Sequence, residues 1–283
     1  MIQFLVFLVL VAGSALGAEP VQLDYHRLVG IPEATRIQQL EAAMDFDGSR
    51  IVGGYPSPVG TYPYLIGLII PLTIGATSVC GSSMLSNTRS VTAAHCWWNG
   101  ENQARHFEMV FGSDRLFSGG TRVITNQVEM HPNYHTVSLN NDVAIVTFSY
   151  VGYTNVIQPV ALATGNDDFV GIHAQAAGFG RNSDSAGIGL DQSKHRVNLR
   201  VISNAECLAS FPNNVIDSSL CTSGVGSVGT CGGDSGGPLS VTINNIRTLI
   251  GVTSFGSARG CQVAAPSVFA RVTSFAPWIR ERL

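Results

Sequence analysis

From Tyr62 onward the chain breaks into short apolar runs separated by Gly, Asn and Pro, and that punctuation restricts it to an all-β fold. Leu65–Leu72, Ser90–Ala94, Phe107–Phe111, Val143–Phe148, Ala174–Phe179, Val197–Ile202 and Leu249–Phe255 are all of strand length and rich in Val and Ile. No long segment of helical period appears before Ser274–Leu283, where the spacing predicts a terminal helix capped by Ser274, with Pro277 in its first turn. A sandwich or barrel follows, and with 45% hydrophobic residues among 283 there is ample material for its core.

The first 50 residues do not share this pattern. Ile2–Ala12 is almost continuously apolar and is followed by small residues, which predicts a signal peptide over 1–17, although no positive charge precedes it. Nothing later offers the ~20 uninterrupted apolar residues of a membrane span. Glu19–Arg50 is polar, with one or two helical turns predicted over Ile37–Met44. Six cysteines follow it: Cys80, Cys96, Cys207, Cys221, Cys231 and Cys261. An even number in a secreted chain predicts disulfides, with 15 possible pairings. No cysteine lies between Glu19 and Arg50, so nothing ties that segment covalently to the rest. With 12% charged residues and a net charge of −3, the chain is neither a basic nucleic-acid binder nor an acidic disordered one.

Three short motifs carry chemistry. In Thr230–Leu239, Ser235 stands between Asp234 and two glycines. A serine hydroxyl becomes a useful nucleophile when a base takes its proton and backbone N–H groups receive charge on the substrate oxygen. Gly233 and Ser235 suit that second task, because a glycine N–H can be presented from a conformation most residues avoid. Thr92-Ala93-Ala94-His95-Cys96 supplies a histidine beside a cysteine, and Asn140-Asn141-Asp142-Val143-Ala144 supplies an acid. His26, His106, His131, His135, His173 and His195 lack such flanks and are read as surface or structural.

In this order and with these flanks, the motifs over residues 51–283 resemble the chymotrypsin-like serine proteases; the leader, the Arg50–Ile51 junction and Val272-Thr273-Ser274-Phe275 look most like the midgut chymotrypsins of moths. The resemblance implies two six-stranded antiparallel β-barrels divided near 160–170. His95 and Asp142 would come from the first barrel and Ser235 from the second. It implies the disulfides Cys80–Cys96, Cys207–Cys221 and Cys231–Cys261. It also implies a propeptide over 18–50, cut after Arg50 by a trypsin-like protease so that the new Ile51 amino group pairs with Asp234. In the same terms, Ser254-Phe255-Gly256 pairs with substrate backbone as an added strand, and Ser254 bonds Asp142.

The specificity pocket implied by the resemblance is framed by Gly229, Gly256 and Ser267. None is a carboxylate, so Phe, Tyr, Leu or Met is expected before the cleaved bond, with Arg259 near the rim. The roomy Gly229 floor leaves a broader or collagen-cleaving preference open, and a regulatory protease or an inactive binding homologue are the other readings. The expected partners are peptide and protein substrates, the activating protease and protein inhibitors. No cofactor, metal, nucleic acid or membrane is expected, and the protein is expected to be a monomer. Asp114 is alone in the Gly112–Gly120 loop where a calcium site would need several oxygens. Secretion into a gut lumen is the expected location. The only lysine is Lys194, all other basic side chains being arginine, which predicts alkaline surroundings.

Overall fold

Seven strands follow one another from residue 65 to residue 147 before the chain leaves the first sheet: β1 (Leu65–Pro71), β2 (Thr77–Ser86), β3 (Arg89–Thr92), β4 (Phe107–Phe111), β5 (Thr121–Thr125), β6 (Gln127–Met130) and β7 (Ala144–Thr147). The structure is a computed structural model that describes residues 18–47, 59–181, 184 and 195–283, with backbone alone at 44–47. The expected signal peptide 1–17, the Arg50–Ile51 junction and Lys194 lie outside the described residues.

The first sheet has the order β5-β4-β1-β2-β3-β7-β6, all antiparallel. β5 and β6 are separated by Asn126 alone. They act as one strand bent there, pairing with β4 before the bend and β7 after it. The second sheet contains β8 (Ala161–Leu162), β9 (His173–Gly178), β10 (His195–Ile202), β11 (Ser219–Thr222), β12 (Pro238–Ile243), β13 (Ile246–Phe255) and β14 (Ser267–Arg271). Its six antiparallel strands run β12-β9-β10-β11-β14-β13 and close through β12–β13. The short β8 adds to β13 in parallel, a pairing absent from the expectation. The architecture is otherwise the expected pair of antiparallel barrels, with the core strands deeply buried: β1 reads Leu-Ile-Gly-Leu-Ile-Ile with every one of those residues buried, whereas β5 and β6 lie at the surface. All three expected disulfides are present.

The helices depart from expectation. The C-terminal helix (residues 272–280) starts two residues earlier than predicted and is not capped by Ser274; Pro277 is its sixth residue rather than a first-turn one. Tertiary packing sets that start. Arg271 at its head is held by Ser219 O, Asp168 O and Asn204 Oδ1, and Val272 is buried at once. At the other end of the chain, a π-helical turn His26–Gly30 leads into α1 (Ile31–Asp47), far longer than the turn or two expected. The buried positions from Gly30 through Glu41 are Gly30, Glu33, Ala34, Ile37, Leu40 and Glu41. That is a helical stripe, but two of its members are acids, so its apolar periodicity was too weak to read.

Candidate active site

The short 3-10 turn Ala94–Cys96 follows β3 and is tied to β2 by Cys80–Cys96, which fixes His95 at the barrel end. His95 is 2% exposed and Asp142 1%. Asp142 follows two turn residues with positive φ, Leu139 and Asn141, and the turn aims its carboxylate at the histidine. Asp142 Oδ2 lies 2.7 Å from His95 Nδ1, and Oδ1 accepts the His95 backbone N–H at 2.9 Å. The Ser254 hydroxyl donates to Oδ2 at 2.6 Å, as expected from the sequence. With its Nδ1–H given to this carboxylate, the neutral ring keeps its lone pair on Nε2.

Ser235 sits on a turn that only glycines permit. Gly233 has φ +98°, and a Cβ there would meet Gly180 Cα at 2.8 Å. Gly236 has φ +76°, and a side chain there would strike Gly81 O and Thr92 Oγ1. The turn is stitched by Gly237 N–H to Asp234 O at 2.9 Å, Gly236 N–H to Thr253 O at 2.8 Å and Gly81 N–H to Ser235 O at 2.7 Å. Asp234 points inward and accepts from Gly180 N and Cys231 N, both at 3.0 Å. Burial pushes its carboxyl up to about 6, and Glu33 nearby adds to the rise.

Ser235 and His95 line one cleft of about 250 Å³ together with Thr230, Ser254, Gly256 and Ser267. A Cβ on Gly256 would meet nothing within 4 Å, so the mouth is open. Gly229 lies behind, in an adjoining cleft of about 200 Å³, and a Cβ there would come to 2.9 Å from Ser267 Oγ. Ser267 is thus packed directly against Gly229, its hydroxyl accepting the Thr230 N–H at 3.1 Å, and of the two only Ser267 lines the Ser235 cleft. Sequence reading missed Asp184, an exposed acid at the cleft edge whose carboxylate accepts from Cys261 N and Gln262 N, both at 2.8 Å.

Sequence reading also missed the N-terminal segment. Gln22, Leu23, Tyr25, Leu28 and Val29 line the same cleft. The Tyr25 ring lies edge-on to the His95 ring at 4.7 Å between centroids, and its hydroxyl donates to Val79 O at 2.7 Å. Arg259, expected near the rim, is engaged by Glu19 at 3.1 Å. His26, read as surface or structural, is fully buried beside the site with Nδ1 2.9 Å from Ser78 Oγ; burial, with His95 adding to it, pushes it down to about 3. No motif announces these residues, because their meaning lies in what they touch. In this state His95 Nε2 has Cys96 Sγ at 3.8 Å, and no hydrogen bond links it to Ser235 Oγ among the described residues.

A buried Asp–His pair beside a serine on a glycine turn, spanning two β-barrels, defines a serine endopeptidase. The comparisons agree. A family model described as Trypsin matches residues 51–279, and the chain belongs to that family. "Serine protease 1" of Drosophila melanogaster is 36% identical over 237 residues, covering 82% of this chain and 85% of that protein. "Collagenase" of Hypoderma lineatum is 34% identical, covering 82% and 86%. "Trypsin, alkaline B" of Manduca sexta is 36% identical over 251 residues, covering 85% and 93%. A solved structure named HL collagenase superposes with a TM-score of 0.73 at 32% identity, over 82% of this chain and 98% of that one.

Proposed function

We propose that the chain is a secreted digestive zymogen with a signal peptide over 1–17, a propeptide over 18–50 and a protease domain over 51–283. The observation that carries the catalytic part is the Asp142 carboxylate, which holds His95 Nδ1 and Ser254 Oγ beside Ser235. Ser235 Oγ attacks the substrate carbonyl carbon while His95 Nε2 takes its proton. The Gly233 and Ser235 N–H groups receive the oxyanion. His95 then protonates the leaving amine, and water hydrolyses the acyl-enzyme by the same steps in reverse. Asp142 fixes the tautomer and stabilises the imidazolium.

Activation follows cleavage after Arg50 by a trypsin-like protease. A buried carboxylate at Asp234 without a cation is costly, and the new Ile51 ammonium would supply one. The family match beginning at residue 51 supports this boundary. The pocket framed by Gly229, Gly256 and Ser267 takes Phe, Tyr, Leu or Met, because those three positions hold no acid. A second reading, broad or collagen-cleaving specificity, draws support from the open mouth at Gly256, the acid at the rim and the named collagenase relative. The protein acts as a monomer on proteins in an alkaline gut lumen, where protein inhibitors are its other partners. The test is to cut the proprotein at Arg50, remove the activator and time hydrolysis of matched peptides ending in Phe, Leu, Ala and Arg. Cleavage after Phe or Leu, lost in Ser235→Ala, is expected; a preference for Arg overturns the pocket assignment, and no cleavage of any peptide overturns the catalytic one.

A further inference from the structure

The segment before residue 48 crosses the cleft in the manner of a bound ligand. Its first residues add a strand to the substrate-facing edge: Ala258 N–H donates to Pro20 O at 2.7 Å, and Val21 pairs antiparallel with Ser257. Glu19 anchors this end, accepting from Ser257 Oγ at 2.6 Å and pairing with Arg259. From there the chain runs toward Ser235, as a substrate would, but it does not present a peptide bond. Tyr25 takes helical dihedrals, φ −54° and ψ −50°, and the chain turns into the π-helical turn. What meets the reacting groups is the Tyr25 side chain, packed on His95 and hydrogen-bonded to Val79 O. Burial pushes its phenol far up, while the Ser235 hydroxyl and Gly233 N–H act on the phenol oxygen in the opposite sense. Tyr25 therefore fills part of the cleft that His95 and Ser235 line.

Beyond the cleft the segment is fastened along α1. Val29 and Glu33 lie against Gly232 and Gly233, and the fully buried Glu33 pairs with Arg36 and with Arg181 of the protease unit. Ile37 joins the main core, and Glu41 accepts Leu116 N–H at 2.6 Å and Phe117 N–H at 2.8 Å. These are backbone, aromatic and charged contacts spread over more than twenty residues, with shape and charge matched at both ends.

We infer that residues 19–43 form a tethered competitive inhibitor, and that the cleft and the surface under α1 are a binding site for this peptide that persists after the chain is cut. The inference rests on the propeptide reading above. A 17-residue helix carries the chain about 25 Å from the cleft before the expected cut, so cleavage there breaks none of these contacts. With no cysteine in the segment, release is a separate dissociation step. Relief of inhibition therefore lags behind bond cleavage and depends on dilution.

The experiment uses the processed enzyme, freed of the segment by dilution and gel filtration, and a synthetic peptide of residues 18–47. Activity on a small Phe substrate is first compared with that of the intact chain; no gain on processing would sink the zymogen reading by itself, before any peptide is added. The peptide is then titrated. Apparent KM should rise with kcat unchanged, and the Tyr25→Ala peptide should bind at least ten-fold more weakly than the native one. A scrambled peptide should have no effect. Unchanged KM up to about 100 µM native peptide, far above the Kd expected for a specific contact of this extent, overturns the inference. So does mass-spectrometric detection of cleavage between Glu19 and Tyr25, which would make the segment a substrate.

Discussion

Asp234→Asn should stabilise the intact chain at pH 7 while ruining the processed enzyme. In the unbroken chain Asp234 is partly buried, turns its carboxylate inward to accept two backbone N–H groups and has Glu33 and Arg36 as its charged neighbours. Its carboxyl lies at about 6 instead of 3.8. Because the folded value is raised, the folded state holds a proton that the unfolded chain releases between these two values. The stabilising contribution is fully present below pH 3.8 and is lost as pH climbs through 6. The difference of some 2 units corresponds to roughly 3 kcal/mol. An asparagine never ionises, so that loss disappears. The gain is partly offset, because the amide has one acceptor oxygen for two N–H donors, and the second becomes unsatisfied at a cost of about 1–3 kcal/mol. Urea unfolding of both proteins, carrying Arg50→Gln to prevent cutting, should be run at pH 4 and pH 7. Wild-type stability should fall more than that of the variant between these points, by up to about 3 kcal/mol. Equal pH slopes would refute the reasoning, since Asp234 would then not carry the buried charge assigned to it. When Asp234→Asn is made in the cleavable chain and the product is processed, the neutral amide offers the Ile51 ammonium no counter-charge, and kcat/KM should drop by at least ~100-fold.

Ser254→Ala removes a 2.6 Å charge-assisted bond to Asp142 and should lower kcat by roughly ten-fold with little change in KM, read by steady-state kinetics on a Phe substrate; a pure KM effect would refute the positioning role. Ser267→Asp places a carboxylate in the wall of the Ser235 cleft and should raise the Arg-to-Phe ratio of kcat/KM by about ten-fold or more; an unchanged ratio would show that this position does not meet the substrate side chain.

The sequence by itself determined the protease unit. Strand-length Val- and Ile-rich runs between turn residues specify β-structure locally, and β4 falls on the expected Phe107–Phe111 to the residue. His95 and Ser235 could be singled out because each sits in a flank that chemistry constrains, a cysteine that immobilises the turn or glycines at φ +98° and +76° that no other residue tolerates well, and Asp142 from its motif lying between theirs in the family's order. Only the tertiary structure decided the rest. The start of the terminal helix depended on where Val272 and Arg271 are buried, and burial outweighed the local signals of Ser274 and Pro277. The parallel β8 is two residues long, too short to carry any period. The N-terminal segment looked like a polar leader because its inward face mixes Ile37 and Leu40 with Glu33 and Glu41. Glu33 has one local partner in Arg36, but its pairing with Arg181 and the hydrogen bonds of Glu41 to the Leu116 and Phe117 N–H groups reach across more than 70 residues. A buried charge is legible only with its partner beside it, and that proximity is a property of the fold rather than of the local sequence.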